Sequence, residues 1–69
     1  MDFTIQYFGM FDQLHYVESV DVGELVDALE RARAVVKQPC DPQPIGYVIL
    51  DRRGRQVARG YRRDAALRE

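Results

Sequence analysis

The sequence predicts a small α+β domain in which one helix packs on one face of an antiparallel sheet of three to four strands. Three observations support this fold class: alternating apolar residues near the N-terminus, one amphipathic helical segment, and a second hairpin around a glycine turn. The resulting order is β-β-α-β-β, and we assign residues 1–61 to a single domain. The chain has 69 residues, so one hydrophobic core is expected. Residues 62–69 are expected to be a frayed helical turn or a disordered tail.

The first hairpin is predicted from two stretches near the N-terminus. Residues 3–8 alternate aromatic and β-branched side chains between two sides, which is typical of a strand. Residues 14–19 have the composition of a returning strand, and residues 9–12 interrupt the pattern between the two. If the second stretch fails to pair, the sheet has three strands and a long loop.

The helix is predicted to begin after Asp21 and to end near Lys37. Asp21 and Glu24 have the spacing of a capping box, and Val20 and Leu25 have that of a hydrophobic staple. The residue after Lys37 precedes a proline, which disfavours helical backbone there. The apolar positions form one stripe at helical spacing. This stripe contains Val22, Leu25, Val26, Leu29, Ala32 and Val36, flanked by Ala28 and Val35.

The second hairpin is predicted over residues 46–61, after a proline-rich connector at 38–44. Residues 51–54 (Asp-Arg-Arg-Gly) fit a type I turn followed by a glycine in the left-handed region. A three-residue connection of this kind predicts an uninterrupted register between the two strands. The expected pairs are Leu50 with Gln56, Ile49 with Val57, Val48 with Ala58, and Tyr47 with Arg59.

This register gives the second hairpin apolar side chains on both faces. One helix covers one face of a sheet, so the second apolar face is free for a partner. The predicted protein interface is the face with Tyr47, Ile49, Val57 and Tyr61, because tyrosine is enriched at interface centres. The reversed arrangement, with Val48 and Leu50 at the interface, stays open because side-chain size favours neither face. The expected partner is a second copy of the chain, or another protein.

Charge is divided between the two halves of the chain. Residues 1–30 contain seven acids and no lysine or arginine, whereas residues 31–69 contain ten basic residues and four acids. Six arginines cluster in one short stretch: Arg52, Arg53, Arg55, Arg59, Arg62 and Arg63. They predict an alternative function, nucleic-acid binding, although a pI of about 5.7 is low for it. A further alternative is a small accessory or phage-type inhibitor whose acidic surface mimics nucleic acid.

No residue pattern predicts catalysis, a cofactor or a metal ion. His15 is the only histidine and Cys40 the only cysteine, so neither a nucleophile–base pair nor a zinc-ligand set is expected. No small-molecule substrate and no membrane span are predicted. A single free cysteine is typical of the reducing cytoplasm. The sequence therefore predicts a non-enzymatic, cytoplasmic protein-interaction module that forms a homodimer.

Overall fold

Two hairpins form the sheet, and one helix connects them along the chain. The computed structural model describes residues 2–38 and 43–61, so Cys40, much of the connector and the tail at 62–69 lie outside the described residues. The strand order is β2-β1-β3-β4, and every neighbouring pair is antiparallel. This confirms the predicted α+β fold, with four strands. The elements are β1 (Asp2–Phe8), β2 (Leu14–Asp21), α1 (Leu25–Lys37), β3 (Gly46–Leu50) and β4 (Gln56–Tyr61).

The core lies between α1 and the two central strands. The odd-numbered residues of β1 are buried, whereas Asp2 is exposed and the other even-numbered ones are half-buried, as alternation along a strand requires. The helix packs on β1 and β3, where the small side chains of Ala28 and Ala32 are completely buried. The buried core consists of Phe3, Ile5, Tyr7, Ala28, Ala32, Val35, Val36, Tyr47 and Ile49.

The helix begins later than its capping pattern predicts. Asp21 is the last residue of β2 and pairs with Asp2, and the N-cap of α1 is Glu24, which makes no side-chain capping hydrogen bond. The predicted capping box is therefore wrong. Strand pairing takes precedence because Val20, expected to be part of the helix staple, pairs with Phe3 and packs on the core.

The end of the helix agrees with the prediction. α1 ends at Lys37, and Gln38 has extended backbone angles (φ −72°, ψ 137°), as expected of a residue before proline. The buried stripe is rotated toward Val35, so that Val26 is 50% exposed. Within the described residues, no helix has the length and apolar character that a membrane crossing requires.

The second hairpin has the predicted turn and a different register. Leu50 pairs with Gln56 as expected, but a β-bulge follows, and Ile49 pairs with Ala58 instead of Val57. Val57 is the extra residue, so the pairs from Ile49 back to Tyr47 are each shifted by one position from the predicted register. Because side chains alternate between faces, this shift changes which side chains share a face.

Candidate interaction surface

The sheet has a second face, which points away from α1. The odd-numbered residues of β1 point toward the helix, so the even-numbered residues point away from it. Cross-strand pairing extends this face over all four strands; Gln6, for example, pairs with both Val17 and Val48. We call this surface the open face. It carries Thr4, Gln6, Phe8, Leu14, Val17, Ser19, Gly46, Val48, Leu50, Gln56, Arg59 and Tyr61.

Exposed apolar side chains occupy much of the open face. Leu14 and Val17 in β2 are 49% and 50% exposed, and Tyr61 in β4 is 44% exposed. Phe8 and Val48 on the central strands are half-buried. Contiguous apolar side chains on a sheet face are typical of a surface that binds another protein.

The residues predicted to form the interface do not share one surface. Tyr47 and Ile49 are 4% and 0% exposed and belong to the core, whereas Val57 and Tyr61 are exposed. The predicted common face is therefore wrong, because the bulge shifts β4 by one residue and the helix covers the Tyr47 side. The reversed arrangement that the sequence leaves open, with Val48 on the uncovered face, agrees with the structure.

Two tyrosines pack across the β3–β4 pair on two glycines. Tyr61 is paired with Gly46, and a Cβ atom on Gly46 would lie 3.1 Å from the Tyr61 ring. Tyr47 is paired with Gly60, where a Cβ atom would lie 2.6 Å from Cζ of Tyr47. The absence of a side chain on each glycine thus lets an aromatic ring lie directly on the neighbouring strand. One ring lies on the open face and the other in the core.

A cavity lies at the end of the open face where β1 ends and β3 begins. On one side of it, the Arg59 guanidinium lies 5.5 Å from the centroid of the Tyr61 ring and donates a hydrogen bond to the Tyr61 hydroxyl. This is a cation–π arrangement. The cavity has a volume of about 220 Å³ and is open to solvent. We call it the strand-end cavity; it is lined by Phe8, Gly9, Asp12, Ile45, Gly46, Tyr47, Val48, Arg59, Gly60 and Tyr61.

The loop between β1 and β2, residues 9–13, lies at the same end of the sheet. The Gly9 amide donates to the Gln13 carbonyl at 2.8 Å, and a 3₁₀ turn over Met10–Asp12 lies between them. Met10 is 65% exposed and Phe11 is 95% exposed. Phe11 and Asp12 both have left-handed backbone angles, with φ of 60° and 58°. The loop therefore presents an aromatic ring to solvent from an unfavourable backbone conformation.

The turn between β3 and β4 lies at the opposite end of the sheet. The Asp51 carboxylate accepts hydrogen bonds from the Arg55 and Arg53 amides, at 2.9 and 2.8 Å, and these lower the pKa of Asp51. The Gly54 amide donates to the Asp51 carbonyl at 3.0 Å. Arg52, Arg53 and Arg55 are exposed, and Arg59 lies on the open face. Arg62 and Arg63 lie outside the described residues.

A polar cluster connects the first hairpin to the helix. The Arg31 guanidinium donates to both oxygens of the Glu18 carboxylate, at 3.1 and 2.7 Å, and the Tyr7 hydroxyl donates to Oε1 at 3.0 Å. Hydrogen bonding by Arg31 lowers the pKa of Glu18, and burial raises the pKa of Tyr7. Tyr16 lies against the Tyr7 ring, with centroids 4.8 Å apart. Each polar group has a partner, so the cluster has a structural role.

β2 also contributes to the open face, which was not predicted. Leu14 and Val17 follow from the pairing of β2 with the even-numbered side of β1, a signal that was present in the alternation of residues 3–8. His15 is the extra residue of a bulge in β2, and its ring lies directly against Gly9. The structure thus gives this histidine a packing role.

Comparisons of the chain with protein-family models, with curated proteins and with solved structures gave no match.

Proposed function

We propose that this chain is a non-enzymatic protein-interaction module that forms a homodimer by stacking two open faces. The observation that carries the proposal is the position of the helix. α1 packs on the Tyr47 side of the sheet, and the opposite side retains exposed apolar residues in Leu14, Val17 and Tyr61. Burial of apolar area is the main favourable term in association, at about 25 cal/mol per Å². One free cysteine in the chain favours a cytoplasmic setting for this module.

Charge supports a second copy of the chain as the partner. Residues 2–21, which contain β1 and β2, have four acids and no lysine or arginine. Asp2, Asp12 and Asp21 are exposed, whereas Glu18 is paired with Arg31 of α1. Residues 46–61, which contain β3 and β4, have four arginines and one acid. A two-fold axis along the strands would place the acidic hairpin of each protomer over the basic hairpin of its partner. Opposite charges would then meet twice, because a two-fold interface repeats every contact.

The side chains that would face each other support the same two-fold axis. The axis would run between β1 and β3, so that Phe8 of one protomer faces Gly46 of the partner subunit. Because the Tyr61 ring lies on Gly46, the Phe8 ring would meet the partner's Tyr61 ring there. Val17 would in the same way lie over the partner's Arg59, whose aliphatic stem can cover an apolar side chain.

The size of the sheet sets the expected strength of the dimer. Four strands spaced about 4.8 Å apart, with five to eight residues at about 3.3 Å each, give a face of roughly 300–450 Å² in projection. Stable interfaces bury about 800 Å² of accessible surface on each partner. We therefore expect a dimer with a dissociation constant in the micromolar range, observable at tens to hundreds of micromolar.

The test compares two valines of equal exposure. Val17 on the open face and Val26 on the outer side of the helix are both 50% exposed. Light scattering of the wild-type chain at about 200 µM is expected to approach twice the 8.0 kDa chain mass. Val17→Lys is expected to lower that mass toward one chain, and Val26→Lys to leave it unchanged. A wild-type chain that stays monomeric, or equal effects of the two variants, would overturn the proposal.

The exposed arginine turn favours nucleic-acid binding as a second candidate function. Arg52, Arg53 and Arg55 surround a turn whose shape is fixed by Asp51, and exposed guanidinium groups on a rigid hairpin can bind phosphates. Binding to duplex DNA or to single-stranded RNA should then weaken steeply with salt. Changing all three arginines to serine should abolish it, while changing Glu24 and Asp27 to serine should not weaken it. No binding at about 20 mM salt would exclude this candidate.

A further inference from the structure

The conformation of loop 9–13 suggests a specific role for Phe11. A left-handed backbone costs a residue with a side chain roughly 1–2 kcal/mol, and Phe11 and the next residue, Asp12, both adopt it. The Phe11 ring is 95% exposed, so burial of the ring within its own chain does not offset that cost. Strained residues of this kind cluster at binding sites, where the strain holds a side chain in place for a ligand.

The strand-end cavity has the size and the lining for one aromatic ring. Its volume is about 220 Å³, and a dry cavity of about 150 Å³ in a protein core is known to accept benzene. Its walls include the apolar side chains of Phe8, Ile45 and Val48, and the Tyr61 ring with Arg59 against it. Aromatic rings and a guanidinium group both pack favourably on the ring of a phenylalanine.

The ring and the cavity lie at the same end of the sheet, and Gly9 and Asp12 of the Phe11 loop form part of the cavity wall. Phe11 belongs to the loop that joins β1 to β2, whereas most of the cavity wall comes from β3 and β4. A two-fold axis along the strands exchanges the β1–β2 side of the sheet with the β3–β4 side. The ring of each protomer is thereby brought toward the cavity of the other, and the contact occurs twice, as a two-fold interface requires.

We propose that Phe11 of each protomer inserts its ring into the strand-end cavity of a second copy of the chain. This inference rests on the proposed homodimer and adds a residue-specific contact to it. Two such rings would be the anchors of the interface, because aromatic residues in pockets carry a large share of binding energy. The open faces between them would provide the surrounding area that excludes water.

The experiment uses one variant on each side of the contact. Phe11→Gly removes the ring and also relieves the left-handed strain, so its unfolding midpoint at low concentration should not fall. Val48→Phe fills the cavity with a larger side chain and leaves Phe11 in place. Each variant alone is expected to raise the dissociation constant of the dimer at least tenfold. Val26→Ser, on the outer side of the helix, is the control and should leave it unchanged.

Mixing the two variants tests whether the ring and the cavity meet. A heterodimer of Phe11→Gly with Val48→Phe retains one complete contact, whereas either homodimer of these variants retains none. The average mass of an equimolar mixture should therefore exceed that of either variant at the same total concentration. A mixture that matches the two variants would overturn the insertion, even where each variant weakens the dimer.

The remaining outcomes separate this inference from the proposed function. If wild type and Phe11→Gly dimerise equally well, the homodimer stands and the insertion of Phe11 is wrong. If wild type is monomeric at about 200 µM, the homodimer and the insertion both fail. If only Val48→Phe weakens the dimer, the open face is involved and the Phe11 contact is excluded.

Discussion

Two loops close the two hairpins of the sheet, and they hold their left-handed residues differently. In the β3–β4 turn the left-handed residue is Gly54, with φ of 82°, for which that region has no steric cost. In the β1–β2 loop the left-handed residues are Phe11 and Asp12, which both carry side chains. The first case is a turn whose own sequence dictates its shape. The second is a loop whose shape must be imposed by the strands on either side.

The contacts that hold the two hairpins differ in the same way. The C-terminal hairpin is fixed locally, by the Asp51 carboxylate and carbonyl, which accept hydrogen bonds from amides within the turn. The N-terminal hairpin is fixed by distant contacts, in which Glu18 connects Tyr7 of β1 with Arg31 of the helix. A hairpin held from outside can tolerate an unfavourable loop, and that loop is then free to carry a binding residue.

The largest expected loss of stability comes from removing the contacts of Glu18, which hold the first hairpin from outside its loop. Glu18→Ala leaves the Tyr7 hydroxyl and the Arg31 guanidinium without their shared carboxylate. We expect the free energy of unfolding to fall by about 1–3 kcal/mol, measured by urea denaturation. Glu24→Ala is the matched control, since that side chain makes no capping hydrogen bond, and should change stability by less than about 0.5 kcal/mol. Equal losses would show that the cluster does not hold the hairpin.

The next largest loss of stability is expected from changing Gly54 in the β3–β4 turn. Gly54→Val places a β-branched residue at φ of 82° and should cost about 1–2 kcal/mol of unfolding free energy, measured in the same way. Gly23→Ala is the control, because a Cβ atom there meets no atom within 4 Å. That change should be neutral or slightly stabilising. A tolerated valine at position 54 would contradict the local origin of the turn.

Acid should loosen the first hairpin. Hydrogen bonding by Arg31 lowers the pKa of Glu18 in the folded chain below its usual value of about 4.3. The stabilisation is therefore complete above that pH and is lost as the pH falls through the lower, folded-state value. Amide hydrogen exchange at pH 3 should show β2 opening more than at pH 6. Glu18→Gln should remove most of this pH dependence, and an unchanged profile would assign it to other acids.

The smallest effect should come from relieving strain in the first loop. Asp12→Gly removes a side chain from a residue at φ of 58° and should be neutral or stabilising by up to about 1 kcal/mol. Gln13→Gly, at φ of −73°, gains nothing from glycine and should lose a few tenths of a kcal/mol or more. Thermal unfolding of the two variants measures the difference. A loss at position 12 as large as at position 13 would mean that the loop is not strained.

Local patterns in the sequence were sufficient for much of the fold. Alternation in β1, the helix end before a proline and the Gly54 turn were predicted because each depends on neighbouring residues. The start of the helix was not, because Asp21 is drawn into β2 by its pairing with β1, a contact between distant residues. The bulge at Val57 was also missed, since a single extra residue leaves the alternation of a short strand ambiguous.

The surface was harder to predict than the fold for the same reason. Which side of β3 is covered depends on where the helix packs, and Tyr47 and Val48 are both large enough for either role. The exposed Met10 and Phe11 were recognisable as an interruption in the alternation of β1. The left-handed conformation of Phe11 and Asp12 was not recognisable, because the chain has no glycine at those positions.

The two bulges limit the edge-to-edge assembly of sheets from different chains. β2 and β4 are the outer strands, and each contains an extra residue, His15 in one and Val57 in the other. An irregular strand makes a poor template for the hydrogen bonds of an incoming chain, which limits edge-to-edge growth into fibres. Concentrated solutions of this protein should accordingly stay clear and free of amyloid-type dye binding.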